Sequence, residues 1–329
     1  MTDKIAFIGT YGCGKTVLLT VLTQRFRKPT PEGFQIKPAN LAAVKFCQEK
    51  WDYLKHGEWP APTPPDPKPP IYKWTLCNGT KEKELITSDI AGEAWRSFII
   101  DNTENSEEMR SAWEKLKQQV KEVRSSLSKE DIETHITAVS NMLMNSTGIF
   151  LLLDLSQIIN KEPGYEEALY LPNALAKYMK IIGKSHVPIT LVLAKTDKYK
   201  YLLAKFGSWE NVVKEYIPDI RISNLESIVP VAAVADIKEA RPAHDFSSTG
   251  LEDLYKNIWV TMEQQSVYAL LRKAKNFLFK DVLILAILYI IYLGLFLISP
   301  TATICSIYFL VVVAGYIGTK IYLAAMKPL

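Results

Sequence analysis

Cysteine and histidine are scarce in this 329-residue chain, four of each. Cys13, Cys47, Cys77 and Cys305 show neither a pairing pattern nor metal-ligand spacing, which argues against a disulfide scaffold and fits a reducing compartment. His56, His135, His186 and His244 are scattered along the chain, so no histidine-based metal centre is suggested. An excess of one charge is missing too. The formal net charge of +4 is too small to argue for nucleic acid as a partner. A cleavable leader is not expected, because Met1-Thr2-Asp3-Lys4 runs directly into an apolar segment. What the chain does have is apolar patterning. Hydrophobic residues make up 48% of it, and they are concentrated towards the C-terminus.

The most specific signal is Gly9-Thr10-Tyr11-Gly12-Cys13-Gly14-Lys15-Thr16, which matches G-x-x-x-x-G-K-[ST]. Lys4–Ile8 before it reads as a buried strand, and Val17–Leu22 after it opens an apolar helix. The chemistry needs that order. Glycines Gly9, Gly12 and Gly14 let the backbone curl, with Cys13 between them, so that N–H groups face phosphate oxygens. Lys15 reaches the β/γ-phosphates, and the Thr16 hydroxyl ligates Mg²⁺. The helix N-terminus adds partial positive charge. By average residue usage the pattern arises by accident in roughly one chain in a hundred of this length, and the flanking elements lower that further.

Strands and helices alternate along the rest of the chain. A helix is expected over about Pro38 to His56. Residues 59–70 hold so many prolines that an extended, polyproline-like connector follows. Ile71–Cys77 and Glu84–Ser88, joined through Asn78-Gly79, read as an antiparallel pair. From about Asn105 to Asn145, apolar residues at Met109, Trp113, Leu116, Val120, Val123 and Leu127, then at Ile132, Ile136, Val139 and Leu143, recur at helical spacing. They predict a two-helix hairpin insert, with Ser128 capping its second helix. The stripe can pack on the parent domain or receive a partner. Gly148–Asp154, Val187–Leu193 and Ser227–Ala232 read as buried strands. Helices are expected near Glu166 to Ile182, Trp209 to Tyr216 and from Gly250 onward. The expected fold class is α/β, a mostly parallel sheet flanked by helices.

Two short segments bear on the base. Asp89-Ile90-Ala91-Gly92-Glu93 follows a strand. A carboxylate at Asp89 can hold Mg²⁺ through water, and the Gly92 N–H can meet the γ-phosphate. Ala194-Lys195-Thr196-Asp197 follows another strand. The Lys195 stem can cover a purine face, and Asp197 can accept from both the N1–H and the exocyclic amine of guanine, a donor pair that adenine lacks.

With these segments in order, residues 1–265 resemble the translation-factor-like (TRAFAC) class of P-loop GTPases. Gly9–Thr16 looks like the first family motif, Asp89–Gly92 the third and Ala194–Asp197 the fourth. Val231-Ala232-Ala233 stands where the family's fifth motif contacts guanine through backbone, which singles out Ala232. The resemblance implies a P-loop NTPase fold, GTP as substrate, GDP as product, Mg²⁺ as cofactor, and a switch I threonine that ligates the metal. Thr63 is the candidate for that threonine, with Thr75 and Thr30 as alternatives. Lys15, Thr63 and Glu93 are the catalytic candidates, and Thr16, Thr63 and Asp89 the metal-site residues, Asp89 through water. The Trp-Pro-x-x-Thr segment and the helical insert look more narrowly like bacterial double-GTPase-type domains of conflict and defence systems. Three departures stand out. Ala194 replaces the usual asparagine or threonine that braces the phosphate loop. Glu93 follows Gly92 where many members place a water-orienting glutamine. Tyr11 replaces a small residue and obstructs an arginine supplied in trans. Slow hydrolysis is therefore expected. Arg96 is a surface arginine or a finger acting in cis or across a dimer.

The C-terminal end completes the expected domains. Val282–Ile298 and Thr301–Thr319 carry no charge, and Ser299-Pro300 separates them. A membrane-spanning helix needs about 17–25 residues, so each run is just long enough. Residues 281–325 are read as a helical transmembrane hairpin, and 266–280 as a basic juxtamembrane helix carrying Arg272, Lys273, Lys275 and Lys280. These charges, with Lys320 and Lys327 beyond the second run, put both termini and the GTPase domain in the cytosol. A bacterial inner membrane fits the resemblance. The expected partners are guanine nucleotide and the lipid bilayer, with a homodimer or an effector at the insert as further readings. Rivals to a GTP switch are a dynamin-like self-assembling GTPase, a nucleotide-gated scaffold with little turnover, a soluble P-loop ATPase, and a buried core hairpin in place of the two spans.

Overall fold

The computed structural model describes residues 4–10, 12–61, 70–88, 98–100, 102, 118, 129–217, 225–234 and 248–264. The chain divides into two units, Met1–Ser266 and Val267–Leu329. The second unit lies outside the described residues, as do both uncharged runs and, apart from Gln118, the first helix of the expected insert. Among the described residues no helix is long and apolar enough to cross a membrane.

The first unit is built on β1 (Ile5–Gly9), β5 (Gly148–Asp154), β6 (Ile189–Ala194) and β7 (Leu225–Val231), all parallel and in the spatial order β1-β5-β6-β7. β1 and β5 are buried at every position. They therefore read as unbroken apolar runs, the pattern of a parallel sheet covered on both faces. Their side chains alternate between two cores. Ala6, Ile8, Ile149, Leu151 and Leu153 enter one. Ile5, Phe7, Phe150 and Leu152 enter the other, where Phe7 and Phe150 stack at 5.4 Å.

On the far side of β1 stands a three-stranded antiparallel sheet in the order β2-β3-β4, made of β2 (Phe34–Pro38), β3 (Ile71–Asn78) and β4 (Lys81–Ser88). A parallel bridge between Lys4 and Ile86 joins it to β1. The Phe7 amide also donates to Thr87 Oγ1 at 3.5 Å. The expected hairpin at Asn78-Gly79 is present, since Asn78 pairs with Lys81.

β2 was not expected. Its last residue, Pro38, is where the expected helix over Pro38–His56 would start; the helix in fact begins later, as α2 (Leu41–Lys55). The reason is Asn40. Its Oδ1 accepts from Ala43 N at 2.9 Å, an N-cap, and from Lys73 N at 3.2 Å, while its amide donates to Ile71 O at 2.9 Å. One side chain thus starts the helix and ties it to β3.

α1 (Lys15–Arg25) follows β1 and packs with the second core. α3 (Lys129–Asn145), the second helix of the expected insert, ends with Val139 and Leu143 fully buried in the first core, so this end of the stripe packs on its own domain. α4 (Leu155–Asn160), α5 (Tyr165–Ile181), α6 (Lys200–Phe206) and α7 (Trp209–Tyr216) cover the same face. A last helix, α8, spans 251–264 and covers the opposite one.

Tyr255 on α8 holds the two sheets' shared core together. Its ring packs at 4.8 Å on Phe26 and on Phe34. Its hydroxyl faces Cys77 O at 2.6 Å and Gln35 O at 2.9 Å, and burial pushes its pKa well up. Tyr255→Phe keeps the packing but removes the one hydroxyl proton that these two carbonyls share. It should lower unfolding free energy by about 1–3 kcal/mol in urea titration. An unchanged midpoint would show that the hydroxyl carries no stability.

Candidate functional site: a cleft at the strand ends

In a parallel sheet the carboxyl ends of the strands open on one side, and there the connecting loops can converge. β1 ends at Gly9 and α1 begins at Lys15. The turn between them needs backbone that residues with side chains avoid: Gly12 has φ +70° and Gly14 φ +87°. At Gly9 any Cβ would run into Cys13 Sγ. Cys13 is buried, and its amide donates to Thr10 O at 3.4 Å. Lys15 is buried at the first position of α1, with Thr16 beside it.

This loop forms one wall of a cleft of about 440 Å³. Thr10 and residues 12–18 line it. Opposite them stand Ala194, Lys195 and Lys198 after β6, residues 231–234 at the end of β7, and Trp59, Pro60 and Ala61. The structure thus brings together the predicted first, fourth and fifth segments. Gly12, Cys13, Gly14, Lys15, Thr16, Lys195 and Ala232 all line the same space.

Lys195 adopts left-handed backbone, φ +60°, where β6 hands over to a single 3₁₀ turn, Thr196–Tyr199. Its ammonium lies 2.6 Å from Asp154 Oδ2 and 2.9 Å from Ser156 Oγ. Asp154 is almost fully buried at the end of β5. Its other oxygen accepts from Ser156 N and Ser156 Oγ, both at 2.8 Å. The pair anchors the Lys195 stem at the cleft wall. Asp197 is half-buried in the same turn and is not among the lining residues, whereas its neighbour Lys198 is. Nearby, the Ser156 hydroxyl is the largest cause holding the Glu162 carboxyl below the usual range, and burial pushes the Tyr199 hydroxyl up.

One expected contact needs correction. The Ala232 amide donates to Thr249 O at 3.0 Å, and Ala232 O accepts from Thr249 N at the same distance. Its N–H is therefore taken. A backbone donor from this stretch would have to come from Ala233 or Val234, which line the cleft beside it.

Of the three switch I candidates, Thr30 accepts from Phe34 N within its own turn, and Thr75 sits inside β3 paired with Glu84. Neither lines the cleft. Thr63 lies outside the described residues, but Trp59, Pro60 and Ala61 just before it line the cleft. Tyr11, Asp89, Gly92, Glu93 and Arg96 also lie outside the described residues; Asp89 follows directly on the last residue of β4. Sequence reasoning missed Asp154, Ser156 and Gln157. An acidic residue ending a buried strand, followed two positions later by serine, is an N-cap signal that could have drawn attention to them.

No protein-family model matches the chain, and no curated protein matches it in sequence. Solved structures similar to it include a GTP-binding protein from the archaeon Sulfolobus solfataricus in complex with GDP, at 16% identity and a TM-score of 0.38, covering 80% of this chain and 53% of that one. A second is Methanosarcina barkeri Roco2 RocCORdC bound to GDP, at 13% and 0.32, covering 78% of this chain and 47% of that one. A third is the G domain of the T. maritima FeoB iron transporter, at 13% and 0.34, covering 80% and 99%. The chain spans about half the length of the first two. At such identities and TM-scores the functional reading rests on the site's own residues.

Removing Lys195 leaves the buried Asp154 carboxylate without its counter-charge. Lys195→Met should destabilise the fold by about 2–3 kcal/mol, less than for a fully buried pair because the lysine is partly exposed. Adding Asp154→Asn should recover most of that loss in thermal unfolding. Additive losses would mean that the two groups do not depend on each other.

Proposed function

We propose that the chain is a membrane-anchored GTP-binding protein that hydrolyses GTP slowly and works as a conformational switch. The observation that carries this reading is the convergence of the Gly9–Thr16 loop, the Ala194–Lys198 segment and the end of β7 on one cleft. Phosphates fit the loop end. The positive potential at the start of α1 and the Lys15 ammonium offset charge on the β/γ-phosphates. A purine fits the other end, with the immobilised Lys195 stem against one face, Asp197 as acceptor for the guanine N1–H and amine, and Ala233 or Val234 as backbone donor to its carbonyl.

Mg²⁺ fits the donor chemistry. Among the described residues no group of three or more His, Cys, Asp or Glu is placed to hold a metal. A nucleotide-bound Mg²⁺ does not need one, because it keeps several waters and takes most other ligands from phosphate oxygens. Thr16 would hold it from α1, with Thr63 and Asp89 from the flanking segments. Bound there, the ion neutralises charge between the β- and γ-phosphates. Gly92 would offer its amide to the γ-phosphate. Glu93 would orient water, but its charge opposes the γ-phosphate, which is the reason for a slow rate. Switch motion would run through Thr63 and residues 89–93. The uncharged runs at Val282–Ile298 and Thr301–Thr319, with their basic flanks, would anchor the chain with both termini in the cytosol, as in a bacterial inner membrane.

Radiolabelled GTP retained by the wild-type chain, and lost in Lys15→Ala, is the expected result of filter binding. Equal retention by both would overturn the assignment of the loop. Glu93→Gln should raise single-turnover GTP hydrolysis, because it removes a negative charge beside the γ-phosphate and keeps a group that orients water; an unchanged rate would exclude that role for Glu93. Alkaline carbonate extraction of membranes should leave the chain in the pellet, and its release would exclude a spanning anchor.

A further inference from the structure

Gln157 stands on α4, outside every segment the sequence singles out, and only 3% of it is exposed. Its carbonyl oxygen accepts from Thr10 Oγ1 at 2.8 Å. Its amide nitrogen donates to Pro163 O at 2.8 Å. The orientation of the amide is settled by chemistry, because the Pro163 carbonyl can only accept. Gln157 also lies against the second glycine of the loop: a Cβ built on Gly12 would be 3.6 Å from Gln157 Nε2. Thr10 is 3% exposed, so its hydroxyl has no bulk water to turn to.

α4 is itself held in place. Asp154 and Ser156, at its start, grip the Lys195 ammonium. Gln157 follows on the next position, and its far side is fixed by Pro163, just before the turn that opens α5. Ala194, which lines the cleft at the end of β6, has only a methyl group and so offers the phosphate loop no side-chain hydrogen bond.

We propose that Gln157 is the positioning residue of the phosphate loop: it fixes Thr10 and backs Gly12 so that the loop amides are already aimed at the phosphates before nucleotide arrives. This inference rests on the reading of the cleft as a guanine-nucleotide site. Gln157 touches no phosphate. It acts through Thr10, and it links the phosphate end of the cleft to the Lys195 end through Asp154 at the end of β5 and Ser156 and Gln157 in the first turn of α4. Without it, Thr10 is left with a buried, unsatisfied hydroxyl, and the loop must be ordered at the expense of binding.

The test is the dissociation rate of N-methylanthraniloyl-GDP from the 329-residue chain, with thermal unfolding of each nucleotide-free variant alongside. Gln157→Leu and Thr10→Val should each speed release by about tenfold, the scale set by one buried hydrogen bond. The double variant should be no faster than either single one, because both remove the same bond. Thr10→Ser keeps the hydroxyl and should release at the wild-type rate. Either role lowers the unfolding temperature of the free protein, since each leaves a buried hydroxyl unpaired; a merely structural role would do so with release at the wild-type rate. Wild-type release in both Gln157→Leu and Thr10→Val overturns the inference while leaving the nucleotide site standing. Failure of the wild-type chain to bind N-methylanthraniloyl-GDP overturns the nucleotide site, and the inference with it.

Discussion

β1 is buried on both faces, yet its end must pass into a helix that starts at Lys15. That hand-over is the constraint on which the rest depends. A strand closed in by β5 on one edge and by the Lys4–Ile86 bridge on the other cannot shift to relieve a poor turn. The chain meets the constraint with left-handed backbone at Gly12 and Gly14, close to forbidden for residues with a Cβ. The same turn that lets the strand reach the helix brings Gly12, Gly14 and the start of α1 to one wall of the cleft. Fold and site are here a single solution.

The other walls of the cleft follow from strand direction. β1, β5, β6 and β7 run parallel, so their ends and the loops after them gather on one side. β5 lends the cleft Leu152, and with α4 after it supplies support. Asp154 neutralises Lys195, and Gln157 holds Thr10. A buried carboxylate and a buried amide would each be costly alone. Here each is matched to a partner on the cleft wall, so the polar network stiffens the two ends of the site together.

Most of the parallel sheet was legible, because strands buried on both faces leave uninterrupted apolar runs, and Gly148–Asp154 is one. The β3–β4 hairpin was legible through Asn78-Gly79. β2 was not: Phe34–Pro38 is short and ends in a proline that read as a helix start, and only the reach of Asn40 to β3 shows where α2 begins. α4 escaped notice because its six residues are too few for a periodic signal. In the site, the loop was visible because its chemistry is local in sequence. Asp154, Ser156 and Gln157 were not, because their partners lie at Thr10 and Lys195, far along the chain. The occupied Ala232 amide was hidden for the same reason: its partner, Thr249, is brought alongside only by the fold.

The central claim is that this cleft takes guanine nucleotide. It is tested most directly by competition, with labelled GTP bound to the chain and displaced by unlabelled GDP or by unlabelled ADP. An acceptor for the guanine N1–H and amine at Asp197 predicts displacement by GDP at concentrations about a hundredfold lower than ADP, as expected where a mismatched base leaves a half-buried carboxylate unpaired. Equal displacement, or a preference for ADP, would contradict it.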